Sequence, residues 1–544
     1  MISHFLANFP ENYKPNDQQV NIIQQIEKAF KGGSKFVICS APTGSGKSFV
    51  SKTLANVSND TTATFKDYVN TYEAFKMDQT GSFVYEQECK DELPAGAFAL
   101  TITKTLQDQY KSIFDDTAVL KGKSNYQCEV DPNYDVDTAP CIHTKHIRDD
   151  CWRKNICPYY NARNNSLTSK FSALNYNMFL ALPNHVKYRD YIICDEASEL
   201  EDEIVKQFSA IIDIKKLRAL KVKIFPLSNT SPTTVRTWIN TIRSDVAEHT
   251  NELHNNMKKK AGLTSSEKGK LQYLKNMHRT LTLIDETWQT CEYVVQVVDR
   301  DNVKLTPLKV DTLTKYIFQY ADKVLLMSAT IIDHKNLAKT LGITDYEYIE
   351  SGSGFDPKKA PIYVSQTNKL NHANLQKALP SIVKQIDAIC EKHKDEKGII
   401  HTHTNSITSF IKNNTNTGNN RFLYRDQMYK NEDILDIHEN SEDPTVLVSP
   451  SLGLGVDLKG DLARFQIIVK AAYLPLGDDR IKKMFNQDKQ WYANKMLSNF
   501  IQQCGRGIRS KDDHCVTYVL DANIFNAVLR NKSKLPKYFL DRFV

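Results

Sequence analysis

Short apolar runs of β-forming residues recur along the chain, each ending on a small or polar loop, and they limit the fold more than any other feature. They are Lys35-Phe-Val-Ile-Cys39, Tyr191-Ile-Ile-Cys194, Lys323-Val-Leu-Leu-Met327, Gly398-Ile-Ile-His401, Thr445-Val-Leu-Val448, Phe465-Gln-Ile-Ile-Val469 and His514-Cys-Val-Thr-Tyr-Val-Leu520. Helical segments lie between many of them, which is the pattern of parallel α/β sheets. In such sheets ligands sit in loops beyond the carboxyl ends of the strands, so chemistry is sought there. Residues from about Glu201 to Val298 break the rhythm. Ile204, Phe208, Ile211 and Ile212 fit one helical face, and Leu271, Leu274, Met277, Leu281, Ile284 and Trp288 another, which predicts a helical insertion. Met257-Lys-Lys-Lys260 and Thr264-Ser-Ser-Glu-Lys-Gly269 between them read as a solvated turn. Residues 58–96 form a second, acidic and polar insertion without a nameable motif.

A chain of 544 residues has room for about two to four domains. Its 41% hydrophobic and 25% charged residues are the proportions of a soluble globular protein. The net charge of +7 is compatible with a polyanion partner but is thinly spread. No run of apolar residues is long enough to span a membrane and the start lacks a secretory pattern, so no membrane association and a cytoplasmic location are expected. There the eleven cysteines stay reduced and read as core residues, ligands or reactive groups.

Ser40-Ala41-Pro42-Thr43-Gly44-Ser45-Gly46-Lys47-Ser48 follows a predicted strand and opens a helix. Backbone N–H groups of such a loop cradle phosphates, Lys47 offsets the β/γ charge and Ser48 ligates Mg²⁺. The strand Tyr191–Cys194 delivers Asp195 and Glu196, the first suited to hold Mg²⁺ and the second to polarise an attacking water. As an isolated acidic pair they would equally suit a solvated cap. Arg506 and Arg509, three apart in Gln502-Gln-Cys-Gly-Arg-Gly-Ile-Arg509, are candidate arginine fingers; a basic surface helix is the bland alternative.

Cys128, Cys141, Cys151 and Cys157 cluster, whereas the other cysteines are scattered. Four thiolates suit Zn²⁺ or an iron–sulfur cluster equally well, and His143 or His146 can substitute in a zinc site. Cations interleave with aromatics around them, as single-stranded nucleic acid requires, and Lys104, Lys123, Tyr126 and Arg153 are the best candidate contacts.

Taken in order, these elements resemble the motifs of superfamily 2 helicases. Tyr13-Lys-Pro-Asn-Asp-Gln18-Gln19 is similar to the adenine-reading Q motif, the phosphate loop to motif I, and Thr101–Gln109 to motif Ia. Asp195-Glu-Ala-Ser198 stands as motif II, Ser328-Ala-Thr330 as motif III and Gly398–Thr404 as motif IV. Gly453-Leu-Gly-Val-Asp457-Leu-Lys-Gly460 looks like motif V and Gln502–Arg509 like motif VI. Leu120–Cys128, Cys157-Pro-Tyr-Tyr160 and Leu174-Asn-Tyr-Asn177 resemble the sequences flanking the cluster of the XPD and DinG helicases.

This resemblance implies an α/β fold with two RecA-like parallel-sheet motor domains, the first carrying an iron–sulfur insertion and a helical arch insertion. The expected boundaries are 1–120, 166–200 and 301–345 for the first motor domain, 121–165 for the cluster domain, 201–300 for the arch and 346–544 for the second motor domain. It implies ATP and Mg²⁺ as cofactors, a 4Fe–4S cluster in preference to Zn²⁺, and 5′ to 3′ movement of a monomer on single-stranded DNA with unwinding of forked duplexes. Nucleic-acid-stimulated remodelling without unwinding is the alternative. Gln18 and Asp457 join the nucleotide contacts, and Gln502 the catalytic set. Ser198 departs from the family's histidine, which alters the contact expected between motif II and Gln502. Ala41 replaces a glycine of the general phosphate-loop pattern without consequence.

Overall fold

The computed structural model describes residues 3–42, 44–58, 95–142, 144–258, 264–352, 354–365, 369–371, 373–416, 421–424, 431–450, 458, 460–508 and 513–544. The insertion predicted at 58–96 lies almost wholly outside them. The chain begins its first sheet with β1 (Phe36–Ser40), β2 (Ala97–Thr101), β3 (Ala118–Leu120), β4 (Phe171–Asn175) and β5 (Arg189–Asp195). Next come β6 (Ala210–Asp213), β7 (Tyr293–Val297) and β8 (Asn302–Pro307), a separate antiparallel sheet in the order β6-β8-β7. β9 (Ala321–Ser328) and β10 (Glu347–Glu350) then complete the first sheet, β10-β1-β9-β5-β2-β4-β3, with parallel pairings throughout. A second parallel sheet, β11-β16-β15-β12-β14-β13, is built from β11 (Ile362–Val364), β12 (Gly398–His401), β13 (Phe422–Tyr424), β14 (Val446–Ser449), β15 (Phe465–Ile468) and β16 (Val516–Val519). The two parallel sheets match the two RecA-like domains expected from the sequence, called the first and second motor domains below.

Helices cover both faces of the first sheet, which is why its strands are apolar on both sides. Ile38, Leu100, Ile192 and Leu326 pack into one face, while their alternate neighbours Val37, Ala99, Ile193 and Leu325 pack into the other. Each fully buried aliphatic side chain contributes about 1.5–3 kcal/mol by leaving water. The parallel register places the carboxyl ends of β1, β5 and β9 side by side, with Ser40 opposite Ser328 and Asp195 opposite Met327. That edge is where the site forms.

The insertion after β5 is not wholly helical. Helices Pro232–Lys258 and Ser265–Thr287 pack along one another, with Val235, Ile239, Ile242 and Val246 against Leu274, Leu281 and Ile284. Ile211 and Ile212, however, lie in β6, where adjacent side chains point to opposite faces: Ile212 is buried and Ile211 is 61% exposed. A short apolar stretch fits either period, and pairing with β8 selects the strand. The expected boundaries shift accordingly. A break at residue 300 splits the turn joining β7 to β8, one at 165 runs through helix Pro158–Thr168, and one at 345 severs β10 from its partner β1.

Candidate nucleotide site and cysteine pocket

The loop after β1 turns through Gly44 and Gly46, at φ 75° and 80°, into helix Lys47–Val57. Gly46 is the helix cap, and its left-handed φ of 80° favours glycine, with Gln19 Nε2 packed close against it. The Ala41 N–H donates to the Ser328 carbonyl at 3.0 Å, tying the loop to the end of β9. The first turn of the helix directs free backbone N–H groups at the loop, the arrangement that binds phosphate. Thr43 lies outside the described residues.

Lys47 Nζ donates to Glu196 Oε1 at 3.2 Å, and Ser328 Oγ donates to Glu196 Oε2 at 3.1 Å. Glu196 sits at φ 53°, a conformation uncommon for a non-glycine residue and typical of functional turns. Burial pushes the Asp195 carboxyl up, with Lys47 opposing. Burial acts likewise on Glu196, but Lys47, Ser328 and Arg506 outweigh it and hold that carboxyl below its ordinary value. Arg506 itself is buried in the turn after helix Lys489–Cys504, so its charge reaches Glu196 from the second motor domain. Lys47, Asp195 and Glu196 therefore meet at the carboxyl edge of the first sheet, and Arg506 adds its charge from the second domain. Arg509 and Asp457 lie outside the described residues.

Other members of the predicted set make the following contacts. Gln18 donates to Ser351 Oγ at 2.8 Å and to the Gly352 carbonyl, on the link that follows β10, while buried Gln19 is the glutamine that meets the phosphate loop. Ser198 bonds motif III instead of motif VI, at 2.9 Å from Ser328 Oγ and 2.8 Å from Thr330 Oγ1. The Thr330 carbonyl in turn accepts from Ser498 of the second domain at 3.3 Å. Gln502 is half-buried on that domain's helix Lys489–Cys504. Sequence reasoning missed Tyr110, whose hydroxyl donates to Asp195 Oδ2 at 3.2 Å.

The clustered cysteines line one small pocket together with Val130, Val136, Ile156 and Tyr160. Cys128 starts from the loop anchored by its N–H on the Tyr134 carbonyl, Cys141 from a short helical turn, Cys151 from helix Lys145–Arg153, and Cys157 from the cap of helix Pro158–Thr168. Burial and the neighbouring thiols push Cys141 and Cys151 up. Among the described residues no three His, Cys, Asp or Glu side chains are spaced as a metal-holding group. The pocket gathers four thiols without closing them into a ligand shell, and as a donor set they fit an iron–sulfur cluster or zinc. His143 lies outside the described residues and His146 is exposed.

Lys104, Lys123 and Arg153 are exposed near this pocket. Lys104 donates to Asn125 Oδ1 at 2.6 Å, and Lys123 Nζ stands 5.4 Å from the Tyr159 ring centre. Tyr126 is instead half-buried, its hydroxyl accepting from the Lys121 N–H and its ring edge-on to Tyr159, so its face is used in packing. Among the described residues no helix is long and apolar enough to cross a membrane.

Residues 389–541 match the model of the helicase C-terminal domain. No curated protein sequence matches the chain significantly. Among solved structures, an XPD helicase is similar over 96% of this chain and 98% of its own, with 15% identity and a TM-score of 0.54. Xpd4 of S. tokodaii is similar over 96% and 99%, at 13% identity and a TM-score of 0.55. An apo XPD matches over 95% and 98%, at 13% identity and a TM-score of 0.54. At such identities these likenesses speak for the fold. Residues 389–541 are thus similar to the helicase C-terminal domain, and the chain as a whole has the fold of the XPD helicases it matches.

Proposed function

We propose that the chain hydrolyses Mg-ATP in the cleft between its motor domains and uses the cycle to move 5′ to 3′ on single-stranded DNA and unwind forked duplexes. The observation that carries this reading is the Lys47–Glu196 contact at 3.2 Å, formed where the phosphate loop meets the carboxyl end of the strand that delivers Asp195. Ser48 and Asp195 would hold the magnesium ion, which supplies neutralising charge on the phosphate oxygens when bound. Lys47, paired with Glu196 in this structure, moves its charge to the β/γ phosphates once nucleotide enters the loop. That frees the Glu196 carboxylate to orient water and accept its proton. Arg506, joined by Arg509, stabilises charge developing on the transferred phosphoryl group, with Gln502 as a further cleft contact. Gln18 and Asp457 complete the nucleotide set.

Cys128, Cys141, Cys151 and Cys157 hold a 4Fe–4S cluster in this reading, a cross-link that stiffens the segment meeting the duplex. DNA follows the exposed cations Lys104, Lys123 and Arg153. Supporting this path, like charges meet where the insertion faces that segment: Lys275 of helix Ser265–Thr287, pushed down mainly by burial, is opposed further by Lys123. A polyanion relieves such repulsion. The motor acts as a cytoplasmic monomer.

Strand displacement with 5′-tailed and 3′-tailed duplexes tests the proposal. ATP-dependent release from the 5′-tailed substrate alone is the expected result. Hydrolysis without displacement of either substrate would move the reading to a remodelling ATPase.

A further inference from the structure

We propose that Tyr110 is a positioning residue for the magnesium ion: it fixes the Asp195 carboxylate and ties it to helix Lys104–Ile113, whose other end touches the cysteine-rich segment. The inference rests on the nucleotide-site reading above.

Tyr110 is among the most deeply buried side chains of the molecule, with its ring edge-on to Phe171. Beyond the bond to Asp195, its hydroxyl meets Ser51 Oγ of the phosphate-loop helix at 3.1 Å, so it joins that helix to a carboxylate assigned to the ion. A single hydroxyl held by the phosphate-loop helix and by the carboxylate sets how far apart those two elements stand. Its proton goes to Asp195, leaving that oxygen's remaining lone pair for a cation. Groups that orient a metal's ligands in this way typically change metal affinity by about 10–100-fold when removed.

The helix that carries Tyr110 is pinned along its length. Lys104 bonds Asn125, and Asp108 pairs with Lys121 at 2.7 Å, both on the segment leading into the cysteines. One turn on from Lys104, buried Gln107 donates to the carbonyls of Leu120 in β3 and Ala173 in β4, each at 3.1 Å. Tyr110 follows a further turn on, about 9 Å from Lys104 along the axis. A rigid rod with one end on the cysteine-rich segment and the other on the ion's ligand passes displacement from one to the other. Gln107 keeps it from tilting away from the sheet.

The test is Tyr110→Phe in the full chain, which keeps the ring in its packing and removes only the hydroxyl. Mn²⁺ affinity is measured by electron paramagnetic resonance in the presence of a non-hydrolysable ATP analogue, with and without oligo(dT). The expected result is Mn²⁺ affinity about tenfold weaker in the variant without DNA. DNA is expected to shift Mn²⁺ affinity in the wild type and to leave the variant unmoved. Equal affinities in the two proteins would overturn the inference while leaving the nucleotide site intact. A wild type that binds no Mn²⁺ with the analogue would overturn the site and the inference together.

Discussion

Lys47 stands beside two carboxylates, Glu196 and Asp195, at the start of the phosphate-loop helix. Truncation to alanine removes the phosphate partner and leaves Glu196 and Asp195 repelling the nucleotide. Lys47→Ala is therefore expected to lower ATP turnover by about a thousandfold or more, with single-stranded DNA binding retained in fluorescence anisotropy. Retained turnover would remove Lys47 from the site. In the proposed cycle Arg506 acts from the other domain, on charge that develops late. Arg506→Ala is expected to lower kcat by roughly 10³–10⁵ with little change in KM, measured in steady-state assays; an unchanged kcat would exclude it as a finger. These residues were legible because a phosphate loop and an acidic pair at a strand end constrain chemistry locally. Tyr110 was not legible, since a tyrosine in an amphipathic helix reads as core until the sheet register brings Asp195 beneath it. The same holds for Ser198, whose partners Ser328 and Thr330 lie over a hundred positions along the chain.

Elements obeyed the same division. Strands such as β1, β5 and β9 announce themselves by continuous Val, Ile and Leu, because both faces are covered. The alanines of β2 and the three-residue lengths of β3, β11 and β13 carry no comparable signal, although the sheets fail without them. The insertion was readable where its period lasted over several turns, as in helix Ser265–Thr287, and unreadable at β6, where a few residues decide. The cysteine-rich segment belongs to this scale because no single residue makes its pocket. Anaerobically purified protein is expected to be brown with about four irons per chain. Cys151→Ser is expected to lose colour and strand displacement while some ATP hydrolysis persists, because helix Lys145–Arg153 loses its cross-link and the phosphate loop does not. Colourless wild type with bound zinc would reject the cluster and keep the motor.

At the scale of the whole molecule, hydrolysis needs the two motor domains held in register, since Arg506 and Lys47 come from different sheets. The joint is Glu201, six residues after Asp195 and 2% exposed. It accepts from Arg480 at 2.6 Å and Trp491 Nε1 at 2.8 Å and pairs with Lys495 at 3.1 Å, all from the second domain. Arg480 also donates to the Pro307 carbonyl at 2.9 Å, and Val294 and Leu308 pack on Met484 and Trp491 beside it. Burial pushes the Glu201 carboxyl up, but Lys495 and Arg480 outweigh it and hold it down, from 4.5 to about 2. A carboxyl depressed in the folded state stabilises at pH above about 4.5, and the contribution vanishes as pH falls toward 2. Glu201→Gln keeps the shape and strands the buried Arg480, while Lys495 keeps Asp202 at 2.8 Å; breaking such a buried pair costs about 3–5 kcal/mol. The exposed Lys339–Asp488 pair at 3.4 Å crosses the same interface and serves as comparison, worth at most about 1 kcal/mol. Calorimetry of Glu201→Gln is expected to split one unfolding transition into two, and kcat is expected to fall while nucleotide binding to the first domain's loop persists. Lys339→Ala is expected to do neither. A Glu201→Gln variant that unfolds in one step and turns over like Lys339→Ala would show that the domains are held by their apolar contact, with the buried carboxylate a passenger.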